Sequence, residues 1–216
     1  MVFLFLLNIS LGSINIPIKD VYTSLLHGSC SKESWNYIIL NYRLPKAIVA
    51  ILIGIGLSVS GLLMQTLFRN PLAGPYVLGL SSGASLGVAI VILGASLLPI
   101  SLSEFFLSSF GIIIASSLGS FIVLVSVLVI AKRLRDTMAI LIVGLMFGSL
   151  TSAIVGCLTY FSSAEQLQKF TFWSLGNLGN LTWNSIAILC FCVVLGLVLS
   201  VFSIKPLNAL LLGENY

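Results

Sequence analysis

Two overlapping stretches, "GLSSG" at 79–83 and "GASLG" at 83–87, match the G-x-S-x-G pattern that presents a nucleophilic serine in hydrolases. That chemistry needs a strand–turn–helix frame and a histidine base, and His27 is the only histidine in the chain. Overlapping matches in a Gly/Ser-rich helical stretch carry no catalytic meaning. Cys30, Cys157, Cys190 and Cys192 have no metal-ligand spacing. Three of them fall inside apolar runs, where buried, inert thiols are expected. No G-x-x-x-x-G-K-[ST] loop is present to cradle nucleotide phosphates, so ATP-driven work would have to come from a partner. The chain is therefore expected to be neither an enzyme nor a metal or cofactor protein.

A different chemistry is suggested by "YRLPKAIVAILIG" at 42–54, where Arg43 and Lys46 flank Pro45 at the mouth of a long apolar run. Charges are scarce: of 216 residues, 58% are hydrophobic and 7% charged, and mean hydropathy is +1.16. A soluble domain carries roughly 25% charge. Uncharged stretches run over 47–68, 70–103, 105–131, 137–164 and 170–204, each long enough for the roughly 20 residues of a bilayer-spanning helix.

The spacing predicts spans at 44–68, with Pro45 tolerated in the first turn, at 76–98 ended by Pro99, at 105–131, at 137–161, and at 184–204 ended before Pro206. Residues 2–12 are apolar but too short to cross a core of about 30 Å; they read as the outer part of a sixth span. Residues 162–183 are polar, carry Trp173 and Trp183, and read as an interfacial segment. The expected fold is an all-α polytopic membrane protein, one transmembrane domain over 1–216, with a proline-broken segment at 70–75. Outer loops are expected at 13–42 and 162–183, and inner loops at 69–75, 132–136 and 205–216.

With the first residue inside, inner loops hold Arg69, Lys132, Arg133, Arg135 and Lys205, and outer loops hold Lys19, Lys32, Arg43, Lys46 and Lys169. The count is balanced, so the dense "KRLR" at 132–135 decides the orientation. In "FRNPLAGPYVLGLSSGASLG", Pro71 and Pro75 forbid a continuous helix. Non-helical backbone at membrane depth survives only against protein or a water-filled cavity, which makes this break a candidate lining for a route through the membrane. Small residues at fourfold spacing recur at Gly111, Ala115, Gly119 and at Gly144, Gly148, Ser152, Gly156. Such stripes let helix backbones approach closely, and packing is their default reading.

The block "YRLPKAIVAILIGIGLSVSGLLMQTLFRNPLAGPYVLGLSSGASLG" closely resembles the membrane subunits of the iron-siderophore, haem and vitamin B12 ABC importers, the FecCD/BtuC-like permeases. "GSINIPIKDV" (12–21), "FWSLGNLGNLTW" (172–183) and "PLNALLLGENY" (206–216) resemble further family segments in the right order. The resemblance implies a ten-helix subunit in a bacterial inner membrane, of which about six helices are present here, so the chain reads as a fragment ending at the ATPase-contacting loop. It implies a second permease copy, two cytoplasmic ATP-binding subunits and an extracytoplasmic substrate-binding protein as partners, and no nucleic acid.

By residue, the resemblance implies docking of the binding protein at Arg43 and Lys46, a lysine standing where the family has its second arginine. It places a cytoplasmic gate at Asn70, Leu72 and Thr137, a pathway helix carrying Gly144, Gly148, Ser152 and Gly156, and ATPase coupling at Leu210, Leu211, Leu212 and Gly213. Tyr76 and "LSSGAS" lean toward the iron-chelate and haem members. The alternative is a secondary transporter or channel without an ATPase; the five uncharged stretches contain no ionisable residue of the kind ion coupling uses.

Overall fold

The computed structural model describes residues 2–28, 30–94, 105–134, 137–179 and 181–213. Among the described residues all regular structure is helical: α1 (Val2–Ser10), α2 (Ile18–His27), α3 (Glu33–Ile38), α4 (Leu44–Leu67), α5 (Leu80–Leu93), α6 (Ser109–Ala131), α7 (Thr137–Tyr160), α8 (Ala164–Leu175), α9 (Trp183–Phe202) and α10 (Ile204–Leu211). A π-helical turn, Ile39–Arg43, joins α3 to α4, and a 3-10 turn, Pro75–Leu78, precedes α5. Four helical runs are long and apolar enough to cross a membrane: Glu33–Leu67, Ser109–Ala131, Met138–Tyr160 and Trp183–Phe202. The other two expected spans are helical but shorter, with 9 residues in α1 and 14 in α5.

The chain divides into two compact units, Met1–Val59 with Asn177–Asn208, and Ser60–Gly176 with Ala209–Tyr216. In the first unit Ile9, Ile16, Val21, Ile39 and Ala47 form a core, packed by Leu6, Leu25, Trp35 and Leu44. The expected outer loop 13–42 contains helical structure of its own. It holds α2, whose Val21 and Leu25 lie one turn apart and face this core. Gly28 ends α2 at φ 64, where glycine avoids the Cβ penalty of the left-handed region.

The start of the first long span also differs from expectation. Pro45 is not in an opening turn: the helix is already under way at Glu33 and runs for 35 residues. In an unbroken α-helix the Pro45 ring would strike the Asn41 carbonyl. The π-turn inserts one residue, with the Leu44 N–H bonding to the Ile39 carbonyl, and so relieves that clash without ending the helix.

In the second unit α5 is the central helix, packed by α6, α7 and α8. Its contact with α6 is backbone on backbone. An added Cβ at Gly87 would lie 2.1 Å from the Ala115 oxygen, and one at Gly119 2.1 Å from the Gly83 oxygen. The Ser120 hydroxyl donates to the Leu80 carbonyl across the same contact at 2.9 Å. One core gathers Phe68, Ala73, Leu78, Val123, Val127 and Leu141; another gathers Val88, Ala89, Ile92, Leu93 and Phe170.

Helix starts follow capping chemistry. The Ser108 hydroxyl accepts from the Gly111 N–H at 3.2 Å and begins α6 later than the expected 105. Ser163 and Gln166 form a reciprocal capping box at α8, which turns the start of the expected interfacial segment into a helix. Thr182 caps α9. The expected end of the second span at Pro99 lies outside the described residues, and its start moves from Tyr76 to Leu80 because Gly79, at φ 75, separates the 3-10 turn from α5.

Candidate functional site

The α4 helix ends in two bonds of a Schellman pair: Asn70 N–H donates to the Gln65 carbonyl at 3.1 Å and Arg69 N–H to that of Thr66 at 3.2 Å. The left-handed position of this motif usually holds glycine, yet here Arg69 occupies it at φ 47. A non-glycine residue there costs on the order of 1–2 kcal/mol. The Arg69 guanidinium donates to the carbonyl of Leu210.

Beyond Arg69 the broken segment is tightly bonded. The Asn70 side-chain oxygen accepts from the Leu72 N–H at 2.9 Å, bridging Pro71, and the Ala73 N–H donates to the Asn70 carbonyl at 3.1 Å. The Tyr76 hydroxyl donates back to the Leu72 carbonyl at 3.3 Å. These bonds leave the Leu72 side chain projecting, 79% exposed. Of the expected gate residues, Asn70 therefore shapes the turn and Leu72 presents an apolar side chain from it. Thr137 is the first residue of α7, and its side chain lies outside the described features.

The α7 stripe changes character along its length. A Cβ at Gly144 would lie 2.5 Å from the Val77 oxygen, so this glycine seats the Pro75–Leu78 turn against α7. The contact is about 10 Å from the start of α7, at roughly 1.5 Å per residue, so the irregular turn is braced against the body of that helix rather than its end. Gly148 faces the Ser82 hydroxyl at an ordinary 3.4 Å, and Gly156 has nothing within 4 Å. Between them Ser152 lines a cleft of about 320 Å³ with Ser81, Ser82 and Ser85 of α5 and Phe170 and Ser174 of α8. Ser120, Ser126, Ser149 and Thr151 spend their hydroxyls on backbone carbonyls, whereas among the described residues the hydroxyls of Ser81, Ser82, Ser85 and Ser152, which line the cleft, make no such bond.

In the first unit Arg43 is committed rather than projecting. Its guanidinium donates to the carbonyls of Ile9 and Ser10, both at 2.7 Å, and to that of Ile14, satisfying carbonyls that α1 leaves open at its end. Gly12 lies against it: a Cβ there would sit 2.8 Å from a guanidinium nitrogen. Lys46 is exposed. The two cations therefore differ in their surroundings: Arg43 is drawn onto the end of α1, while Lys46 is exposed.

At the other end, Leu211 and Leu212 are 60% and 81% exposed, and Gly213 turns at φ 85 with its N–H on the Leu210 carbonyl at 3.2 Å. Cys157, Cys190 and Cys192 are exposed on helix surfaces, which corrects the expectation of buried thiols. Among the described residues no group of three or more His, Cys, Asp or Glu could hold a metal ion. Outside the spans, a hydrogen bond from Ser31 holds the Asp20 carboxyl below its ordinary range, and Lys169 does the same for Glu165 across a 2.8 Å ion pair.

Arg69 is the residue of this region that motif reading does not single out, and the α5 serines, read in the sequence only as cheap nucleophile matches and as part of "LSSGAS", instead line a cleft. The available signal was an arginine, directly before Asn-Pro, at a helix end where glycine is usual.

Long apolar helices and a glycine-packed, proline-broken segment define a multi-pass membrane protein. The model of the FecCD transport family matches residues 1–216, and the chain belongs to that family. It is 33% identical over 208 residues to the hemin transport system permease protein HmuU of Yersinia pestis, covering 96% of this chain and 61% of that protein. It is 30% identical over 203 residues to the vitamin B12 import system permease protein BtuC of Escherichia coli O157:H7, covering 88% and 59%. The chain thus spans about three fifths of the length of these relatives. A solved structure described as a metal-chelate type ABC transporter in an inward-facing conformation shares the fold, with a TM-score of 0.71 at 24% identity, covering 99% of this chain and 65% of that one.

Proposed function

We propose that the chain is the membrane-spanning part of a permease subunit of a binding-protein-dependent ABC importer, carrying an iron-siderophore, haem or cobalamin-type chelate across a bacterial inner membrane. Its partners are a second permease copy, cytoplasmic ATP-binding subunits and an extracytoplasmic binding protein. The observation that carries this reading is the broken segment at 70–79, whose irregular backbone is braced by the Leu72 N–H on the Asn70 side chain and the Ala73 N–H on the Asn70 carbonyl, and which projects Leu72. An apolar constriction of this kind blocks water without trapping a polar chelate.

In this reading Asn70, Leu72 and Thr137 form the cytoplasmic gate, and the Gly144, Gly148, Ser152 and Gly156 face of α7 borders the route beyond it. The serine cleft supports that placement, because free hydroxyls in a membrane helix need a polar occupant. Leu210, Leu211, Leu212 and Gly213 seat the ATPase through the exposed leucines. Lys46 carries the docking charge for acidic groups of the binding protein, and Arg43 supports it by holding the end of α1.

The test is co-purification and ATP-dependent chelate uptake in proteoliposomes. Replacing 210–213 by a Gly/Ser stretch is expected to abolish ATPase association and uptake together; an ATPase that still co-purifies sinks the coupling assignment. Lys46→Glu is expected to lower uptake at limiting binding protein by about tenfold, with recovery at saturating binding protein. Unchanged uptake at limiting binding protein removes Lys46 from docking.

A further inference from the structure

Arg69 joins two segments that the proposed function treats separately. It is the residue directly before Asn70-Pro71-Leu72, and its guanidinium donates to the Leu210 carbonyl, the first residue of the proposed ATPase seat. The contact spans 141 residues of sequence, so it is not a by-product of local chain geometry.

The backbone at this point argues that the side chain matters. Arg69 takes the left-handed position of the Schellman pair at φ 47, where glycine is the residue with no steric penalty. Elsewhere in the described chain the positive φ values belong to Gly28, Gly79, Gly176 and Gly213. A helix terminator that could have been glycine is instead an arginine, in a strained conformation that aims its fork at another backbone segment. Observed strain of this sort is grounds for seeking a role.

The geometry points to Arg69 as a mechanical link, transmitting movement of the ATPase-seated segment at 210–213 to the gate turn at 70–72. The link is a single charge-assisted hydrogen bond to a main-chain carbonyl, so it follows backbone displacement whatever side chains the ATPase contacts. It pulls on the last turn of α4, and the Asn70 bond across Pro71 to the Leu72 N–H carries the displacement one step on, to the side chain that projects. Arg69 is a positioning residue: it touches neither cargo nor nucleotide. This inference rests on the gate and coupling assignments above.

The test uses the assembled importer in proteoliposomes, with Cys30, Cys157, Cys190 and Cys192 replaced by serine and a single reporter, Leu72→Cys. The labelling rate of that cysteine by a membrane-impermeant maleimide, supplied from the cytoplasmic side, is measured with and without vanadate-trapped nucleotide. With Arg69 intact the rate is expected to change at least fivefold on trapping. Arg69→Ala is expected to keep the ATPase co-purifying while reducing that change to less than twofold and lowering uptake per ATP hydrolysed about tenfold. Arg69→Lys, which keeps the charge but not the fork, is expected to fall between. Arg133→Ala, an exposed cation on another inner loop, serves as the neutral control. A full nucleotide-dependent change in Arg69→Ala overturns the link. Loss of ATPase association in Arg69→Ala also overturns it, by making Arg69 part of the seat itself. Absence of any nucleotide response with Arg69 intact points instead to failure of the gate assignment to Leu72, independently of Arg69.

Discussion

Gly119 on α6 and Gly156 on α7 read alike in the sequence, each belonging to a run of small residues at fourfold spacing. In the structure a Cβ on Gly119 would sit 2.1 Å from the Gly83 oxygen, while one on Gly156 meets nothing within 4 Å. The α5–α6 contact uses its small residues to bring two backbones together. The Gly156 end of α7 uses them to leave room, beside a cleft that Ser152 lines. Spacing reports only that a helix face is narrow. Whether the space is filled depends on a partner backbone that the sequence of one helix does not contain.

This difference can be broken or sharpened by substitution. The largest effect is expected from Gly119→Leu, which must push α5 and α6 apart along Gly83 and Gly87. A loss of about 3 kcal/mol or more, read as failure to accumulate in the membrane or a much lowered Tm in detergent, is expected; near-native stability would dissolve the contrast. Gly144→Ala comes next, at about 1–3 kcal/mol, because its methyl group meets the Val77 oxygen and the Leu78 Cα and displaces the Pro75–Leu78 turn. Its readout includes uptake as well as Tm.

Arg43→Ala removes a charged donor from carbonyls at the end of α1, and a cost of about 1.5–3 kcal/mol is expected. Faster amide exchange confined to the end of α1 and to α2 is its signature. Gly156→Ala is expected to stay within about 0.5 kcal/mol of the wild type. The smallest effect is on Asp20, which bonds Ser31 in an exposed setting. Its folded pKa is lowered from an ordinary 3.8, so the contribution is present above that value and is lost as the pH falls through the lower, folded one. Exchange at Ser31 should accelerate only in that acid window, and Asp20→Asn should abolish the acceleration.

Much of the architecture was legible. The uncharged runs located α4, α6, α7 and α9 to within a few residues, because in a bilayer a charge-free length of chain has few alternatives to a helix. What escaped notice depends on tertiary contact. Pro45 marks a helix start in any local reading, and only the Ile39 core position and the π-turn show why the helix passes through it. The helix α2 lies inside the expected outer loop 13–42, and what holds it there is the tertiary contact of Val21 and Leu25 with the first core. Of the candidate site, the broken segment and its projecting Leu72 follow from Pro71 and Pro75, whereas the engagement of Arg43 with residues more than thirty positions away does not. The link from Arg69 to Leu210 was equally invisible.

The extra residue of the Ile39–Arg43 turn can also be understood as a phase. One residue of helix is about 100° of rotation, so the insertion decides which way all of α3 faces. As it stands, Ile38, Ile39 and Trp35 share one core with Val21 and Leu25, and the Lys32 ammonium lies 4.8 Å above the Trp35 ring. Deleting one residue from 39–43 would leave the apolar composition of the span intact, yet swing Trp35 and its cation off α2 by roughly a quarter-turn or more. The surface that α3 presents is thus set by register as much as by side-chain identity, and a change that a hydropathy plot cannot see would re-aim it.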